Sequence, residues 1–100
     1  MNTNNLVEVR KSAANILKKM LDRKLKPKEA KDKWPSYKKD RVLDIAFYAL
    51  DHFEADEDIR LKDKKYAKWQ TEQIQKIIRC LETGKPIEKD IADWLTPRGV

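Results

Sequence analysis

Arg41-Val42-Leu43-Asp44-Ile45-Ala46-Phe47-Tyr48-Ala49-Leu50-Asp51-His52-Phe53 is the stretch on which the fold turns. On a wheel advancing about 100° per residue, Val42, Ile45, Ala46, Ala49, Leu50 and Phe53 fall on one side, flanked by Leu43 and Phe47. Asp44 and Asp51 fall on the other. No two-residue alternation competes with this pattern, so the segment reads as an amphipathic helix with a wide apolar face. Such a face must be covered, which places this helix at the centre of a helical core. Ser36 offers an oxygen to cap its start, and Asp40 a carboxylate to complement its positive end.

Similar stripes lie on either side. Leu6, Val9, Ala13, Ile16, Leu17 and Met20 recur at spacings of three and four and predict a helix from about residue 4 to 25. At under about three heptads the stripe is too short for a long coiled coil. Pro27 then restarts the chain, since proline suits a first helical position, where its missing N–H costs nothing. The short helix it opens, about 27 to 33, closes before Pro35, because the residue preceding a proline is pushed out of the helical region. Beyond the central helix, Glu54-Ala55-Asp56-Glu57-Asp58-Ile59-Arg60 reads as an acidic connector. Asp63 is placed to cap a helix over about 64–82 whose buried side is Tyr66, Trp69, Ile74, Ile77, Ile78 and Leu81. Thr83-Gly84 ends it, glycine being suited to the left-handed conformation that closes a helix. Ile87, Ile91, Trp94 and Leu95 predict a last short helix stopped at Pro97. No segment alternates as a half-buried strand does. The expected fold is all-α: one domain over residues 1–100, a small bundle of three main helices plus two short ones.

Composition narrows the function classes. The 100 residues carry 23 Lys and Arg against 17 Asp and Glu, a net charge of +6. No uncharged run approaches the roughly 18 residues of a membrane span. No apolar segment follows the first five residues, so no signal peptide is expected. Leu, Ile, Val and Phe make 23 of 100, with three Trp and three Tyr beside them, enough to argue against disorder. One Cys excludes an internal disulfide and fits a reducing compartment, which points to the cytoplasm.

Catalytic and metal chemistry find few residues. One His and one Cys cannot build a Cys/His zinc site. Gly84 and Gly99 are the only glycines, and neither lies in a phosphate-cradling pattern. Counting from Asp56, the sixth and twelfth residues are Leu61 and Lys68, where a calcium loop of the EF-hand kind needs Gly and Glu. His52, four residues before Asp56, fits either an acid–base or metal role or an ordinary helical ion pair. Cys80 reads as a small core residue. No catalytic residue, metal ligand or cofactor is expected, and the chain is read as a non-enzyme.

Charge distribution supplies the binding hypotheses. Residues 1–41 carry 13 basic and 5 acidic side chains, and residues 42–100 carry 10 and 12. In the second part Glu54, Asp56, Glu57 and Asp58 crowd what reads as the C-terminal end of a helix, where the helix dipole opposes carboxylates. Either nearby Arg60, Lys62, Lys64 and Lys65 neutralise them, or they form a patch for a basic partner. In the first part Lys18, Lys19, Arg23, Lys24, Lys26, Lys28, Lys31 and Lys33 form a basic stretch. Trp34 and Tyr37 lie beside it, either to stack on bases or to pack a helix junction. Gln70 and Gln73, near the buried side of the helix over 64–82, hint at a third class, a structural or oligomeric module.

The run Ala49-Leu50-Asp51-His52-Phe53-Glu54-Ala55-Asp56-Glu57-Asp58, with the later helix ending Ile77-Ile78-Arg79-Cys80-Leu81-Glu82, resembles the C-terminal half of small helical immunity proteins of the colicin D type. Met20-Leu21 followed by Lys24-Leu25-Lys26-Pro27-Lys28-Glu29-Ala30 is similar to the opening of that group. The resemblance spans about residues 10–82 and rests on a Phe followed by spaced acids between two helices. It implies a toxin inhibitor whose acidic side chains stand in for RNA phosphates in the basic active site of a tRNA-cleaving nuclease. The residues carried over are Glu54, Asp56, Glu57 and Asp58, with Asp51 and Asp63 at the margin. The net charge of +6 departs from the acidic character such an inhibitor needs, and would require the basic first part to face away from the toxin. The expectation is a protein-binding module with a basic partner, nucleic-acid binding being the alternative.

Overall fold

The computed structural model describes residues 2–91, with side chains from Asn5 onward. Five helices follow one another: α1 (Asn2–Leu21), α2 (Pro27–Asp32), α3 (Arg41–Ala55), α4 (Glu57–Lys62) and α5 (Lys64–Thr83). Residues 89–91 are helical as well, and there is no strand among the described residues. The all-α bundle of three main helices is as the periodicity predicts. Trp94, Leu95 and Pro97, on which the end of the predicted last helix depends, lie outside the described residues.

The three stripes meet in one hydrophobic cluster. Ala13, Ala14, Ile16, Leu17 and Met20 of α1 join Leu43, Ile45, Ala46, Ala49 and Leu50 of α3 and Ile74, Ile77, Ile78 and Leu81 of α5, with Ala30 of α2 and Ile91 at the edges. Leu17, Leu43, Leu50, Ile74 and Ile77 are fully buried, and each such side chain contributes about 1.5–3 kcal/mol. α1 packs chiefly along α5, and α3 lies against α2 and α5. Small residues let α3 approach its neighbours closely: Ala46 and Ala49 are wholly covered. The α3 face is turned slightly from the predicted one, with Leu43 at its centre and Val42 and Phe53 packed against its edge.

Helix boundaries depart from expectation in three places. Ser36 does not cap α3. Residues 34–40 run without helix, and Asp40 is the cap, its Oδ2 accepting from Leu43 N–H at 3.0 Å. The same carboxylate accepts two hydrogen bonds from Arg10 of α1, one from Nε at 3.1 Å. Burial works against the charge on Asp40, but the Arg10 and Leu43 hydrogen bonds outweigh it and hold the carboxyl below its ordinary pKa. One side chain thus both starts α3 and ties it to α1.

The first helix ends at Leu21 rather than near residue 25. Lys24 N–H reaches the Lys19 carbonyl at 2.8 Å and Arg23 N–H the Met20 carbonyl at 3.0 Å. This is the paired closure of a Schellman motif. Its left-handed position, normally glycine's, is held by Arg23 at φ 63°. Lys26 N–H then donates to Glu29 Oε1 at 2.9 Å at the start of α2. Only this half of a capping box is made, since a lysine side chain has no acceptor to return.

The acidic connector is itself largely helix. α3 runs through Ala55, and after Asp56 the chain turns directly into α4. Asp63 caps α5 as predicted, accepting from Tyr66 N–H at 3.1 Å. Gly84 closes it at φ 80°, its N–H on the Cys80 carbonyl at 2.9 Å. Cys80 is buried with its thiol 3.5 Å from the Pro86 carbonyl, and burial pushes that thiol's pKa up.

Candidate functional site

The six acidic candidates take up different duties. Asp51 and Glu54, one helical turn apart on α3, converge on Lys31 of α2 at 2.9 and 2.8 Å. The hydrogen bonds that Lys31 Nζ donates to the Asp51 and Glu54 carboxylates raise its pKa. Asp63 is occupied as the α5 cap. Asp56 is the centre of a polar network: its Oδ2 accepts from Tyr66 O–H at 2.7 Å and from Gln70 Nε2 at 3.1 Å. Gln70, 0% exposed, also accepts from Arg60 Nη1 at 2.9 Å. The same Arg60 nitrogen donates to the Phe53 carbonyl, and its guanidinium lies over the Phe53 ring, 3.5 Å from the centroid. Burial, with the Asp56 hydrogen bond, pushes the Tyr66 hydroxyl up to about 12. Burial also lowers the Arg60 pKa, against the attraction of Glu57 and Asp56.

Glu57 and Asp58 remain. Both are exposed, and both sit in the first turn of α4, where the helix dipole favours carboxylates. The supposed conflict of four acids with a helix C-terminus is therefore confined to Glu54, which Lys31 neutralises. α4 buries none of its side chains. Leu61 is 77% exposed and Ile59 47% exposed, so two acids and two large aliphatic residues share one short exposed helix. Trp69 of α5, expected in the core, is instead 39% exposed and packs its ring on Tyr66 with centroids 5.7 Å apart. Gln70 takes the buried position beside it. The upper half of α5 therefore faces a polar network rather than an apolar core.

The basic candidates divide in the same way. Lys18 pairs with Glu82 of α5 and Lys31 with the two α3 acids. Lys19, Arg23, Lys24, Lys26, Lys28 and Lys33 are exposed around the α1–α2 turn. The aromatics beside them are not free to stack on bases. Trp34 and Tyr37 pack against the core, Trp34 meeting Phe47 edge-on at 5.8 Å and Tyr37 O–H donating to Asp44. Trp34 Nε1 is buried without a hydrogen-bond partner. Burial and the Asp44 hydrogen bond raise the Tyr37 pKa.

The acidic and basic sets are therefore not on opposite sides. Lys31 joins them, and α2 lies on α3. What the sequence suggested as two surfaces is, along this edge, one surface of mixed charge. His52 is half-buried in the last turn of α3, its carbonyl accepting from Asp56 N–H at 2.9 Å. Among the described residues no cluster of His, Cys, Asp and Glu is arranged to hold a metal ion, and no helix is long and apolar enough to cross a membrane.

A groove missed in the sequence opens between the α1–α2 turn and α4. It is about 440 Å³ in volume and lined by Met20, Leu21, Leu25, Phe53 and Leu61 among apolar residues, with Arg23, Lys26, Glu57 and Arg60 as its charged ones. Its parts come from four separate segments, so no local motif announces it.

No protein-family model, curated protein or solved structure matches the chain.

Proposed function

We propose that this protein is a non-enzymatic protein-binding module whose contact surface is centred on α4. The carrying observation is that every side chain of α4 except half-buried Arg60 is exposed, Glu57 and Asp58 among them together with Ile59 and Leu61. Aliphatic residues on an exposed helix gain when a partner covers them, and adjacent carboxylates select a partner of opposite charge. In its sharpest form, the resemblance to colicin D-type immunity proteins makes that partner a nuclease toxin domain with a basic active site. Of the six acids in that reading, Glu57 and Asp58 are the two whose carboxylates make no hydrogen bond or salt bridge among the described residues, and they carry the mimicry in this proposal.

The test uses tagged full-length chain recovered from its native cell at low and moderate salt. The expected result is a discrete protein partner with a basic surface, retained by the wild type and released by Glu57→Gln/Asp58→Asn. Exposed charge pairs are screened over about 8 Å at physiological ionic strength, so release by salt accompanies it. A partner indifferent to that double substitution refutes the proposal.

The nucleic-acid reading keeps one specific observation: six cations around the α1–α2 turn are exposed and have no carboxylate partner among the described residues. Titration of RNA or DNA at increasing salt decides it. Contact with Z phosphates requires log K to fall with log salt at a slope near −0.7Z to −0.9Z. Absence of binding at low salt removes the reading.

A further inference from the structure

The groove between the α1–α2 turn and α4 has the makings of a second recognition element, and it differs in character from the acidic first turn of α4. Its floor is apolar, from Met20 and Leu21 at the end of α1, Leu25 in the turn and Phe53 at the end of α3. Leu61 forms one wall and is 77% exposed, so the apolar surface continues out of the groove onto α4. The charges around it are Arg23, Lys26 and Arg60 against a single acid, Glu57. Arg23 and Lys26 are exposed and pair with no carboxylate among the described residues. Arg60 directs Nη1 to the Phe53 carbonyl and Gln70, leaving Nε and Nη2 without a hydrogen bond among the described residues. Arg23 holds its place through a left-handed backbone, φ 63°, that glycine would adopt without strain. Strain of this kind tends to persist where a side chain is needed in position.

We propose that this groove docks a short segment of a partner protein that carries a large apolar side chain next to a carboxylate. The apolar side chain fills the slot between Leu25, Phe53 and Leu61, and the carboxylate meets Arg23, Lys26 and the unused donors of Arg60. A volume near 440 Å³ lies within the range of preformed ligand sites and accepts one large side chain with its neighbour. A peptide is favoured over a small amphipathic anion because Leu61, 77% exposed, carries the apolar surface out of the groove onto α4, beyond what a small molecule in the groove covers. The choice of a peptide rests on the protein-binding reading. The two fail separately, because the groove is tested at Arg23 and Lys26, on which the acidic reading does not depend.

The experiment selects a random dodecapeptide library, displayed on phage, against the immobilised full-length chain. Enriched sequences are then titrated as synthetic peptides into 15N-labelled protein. The expected winners place Leu, Phe or Trp within about three residues of Asp or Glu, and move the amides of Leu21, Leu25, Phe53, Leu61 and Thr71. Affinity drops roughly tenfold in Leu61→Lys and in Arg23→Glu/Lys26→Glu, while Asp58→Asn, outside the groove lining, retains it. All three substituted groove positions are exposed, and an unchanged thermal melt verifies that the variants fold. Enrichment of basic peptides, failure to enrich any sequence, shifts centred elsewhere, or affinity indifferent to the groove variants overturns the proposal. Dodecanoate moving the groove amides where no peptide does so overturns it in favour of a small amphipathic anion.

Discussion

Replacing Asp56 by Ala should destabilise the protein far more than replacing its neighbour Asp58, although sequence places both in one acidic cluster. The difference follows from what each carboxylate holds. Asp56 satisfies the amide of Gln70, which is fully buried, and leaving a buried donor unpaired costs about 1–3 kcal/mol. It also accepts from the half-buried Tyr66 hydroxyl, which recovers a water once exposed, so that loss is nearer 0.5–1 kcal/mol. The partly desolvated guanidinium of Arg60 loses a nearby counter-charge as well. Together these give about 2–4 kcal/mol, against a total stability of roughly 5–15 kcal/mol for a domain of this size. At about 4–8 °C per kcal/mol, Tm falls by something near 10–25 °C. Asp58→Ala removes only a helix-dipole interaction, about 0.3–1 kcal/mol. The assay is urea unfolding at pH 7, extended to a double-mutant cycle with Gln70→Leu. If the buried amide is the main creditor of the Asp56 carboxylate, its loss in the Gln70→Leu background costs about 1–2 kcal/mol less. A cycle additive within about 0.3–0.5 kcal/mol, or an Asp56→Ala no worse than Asp58→Ala, refutes the reasoning.

Three further outcomes are expected. Arg23→Gly relieves the left-handed strain and raises stability by about 0.5–1 kcal/mol in thermal or urea unfolding; a loss of stability would show that the Arg23 side chain contributes more than its backbone costs. Asp40→Asn weakens both the α3 cap and the Arg10 pair, at about 1.5–3 kcal/mol near neutral pH. Because the folded carboxyl is held below its unfolded value of about 3.9, that contribution is complete above pH ~4 and fades as pH falls through the lower folded pKa. The wild-type and variant unfolding curves should converge there, and a gap that persists unchanged at pH ~2 contradicts the assignment. Tyr66, raised to about 12 from about 10, works in the opposite sense: the folded state keeps a proton the unfolded chain releases, so stability is full below pH ~10 and declines as pH rises towards 12. Tyr66→Phe should flatten that part of the pH–stability profile, and an identical alkaline limb in both proteins would exclude Tyr66 as its source.

The helices were legible because each main one has a continuous apolar stripe, and burial of a stripe is decided by spacing alone. Ala13, Leu17 and Met20, like Ile74, Ile77 and Leu81, are buried where the period puts them. Features that depend on a choice between two adequate residues were less visible. Ser36 and Asp40 both suit an N-cap, but only Asp40 has Arg10 to repay its burial, and Arg10 lies on another helix. Arg23 carries no mark of the left-handed position it fills, since glycine is the usual sign. The internal partners of the acidic cluster were hidden for the opposite reason. Its composition is conspicuous, whereas the duties of Asp51, Glu54 and Asp56 depend on Lys31, Tyr66 and Gln70, which reach them only after folding. The groove needed four segments together and had no linear signal at all.

The pairing of α1 with α5 joins the first helix to one that ends at Thr83. During synthesis, at about 5–20 residues per second, Leu17 and Met20 leave the ribosome several seconds before the Ile74 and Ile77 that will cover them. Through that interval α1 is an amphipathic helix without its permanent partner, and the exposed Lys11, Lys18 and Lys19 on it help keep the nascent chain dissolved. Placing its principal contact on α5 delays completion of the bundle until residues 64–83 have emerged. The polar outer face of α1 thus serves the chain before the native surface exists.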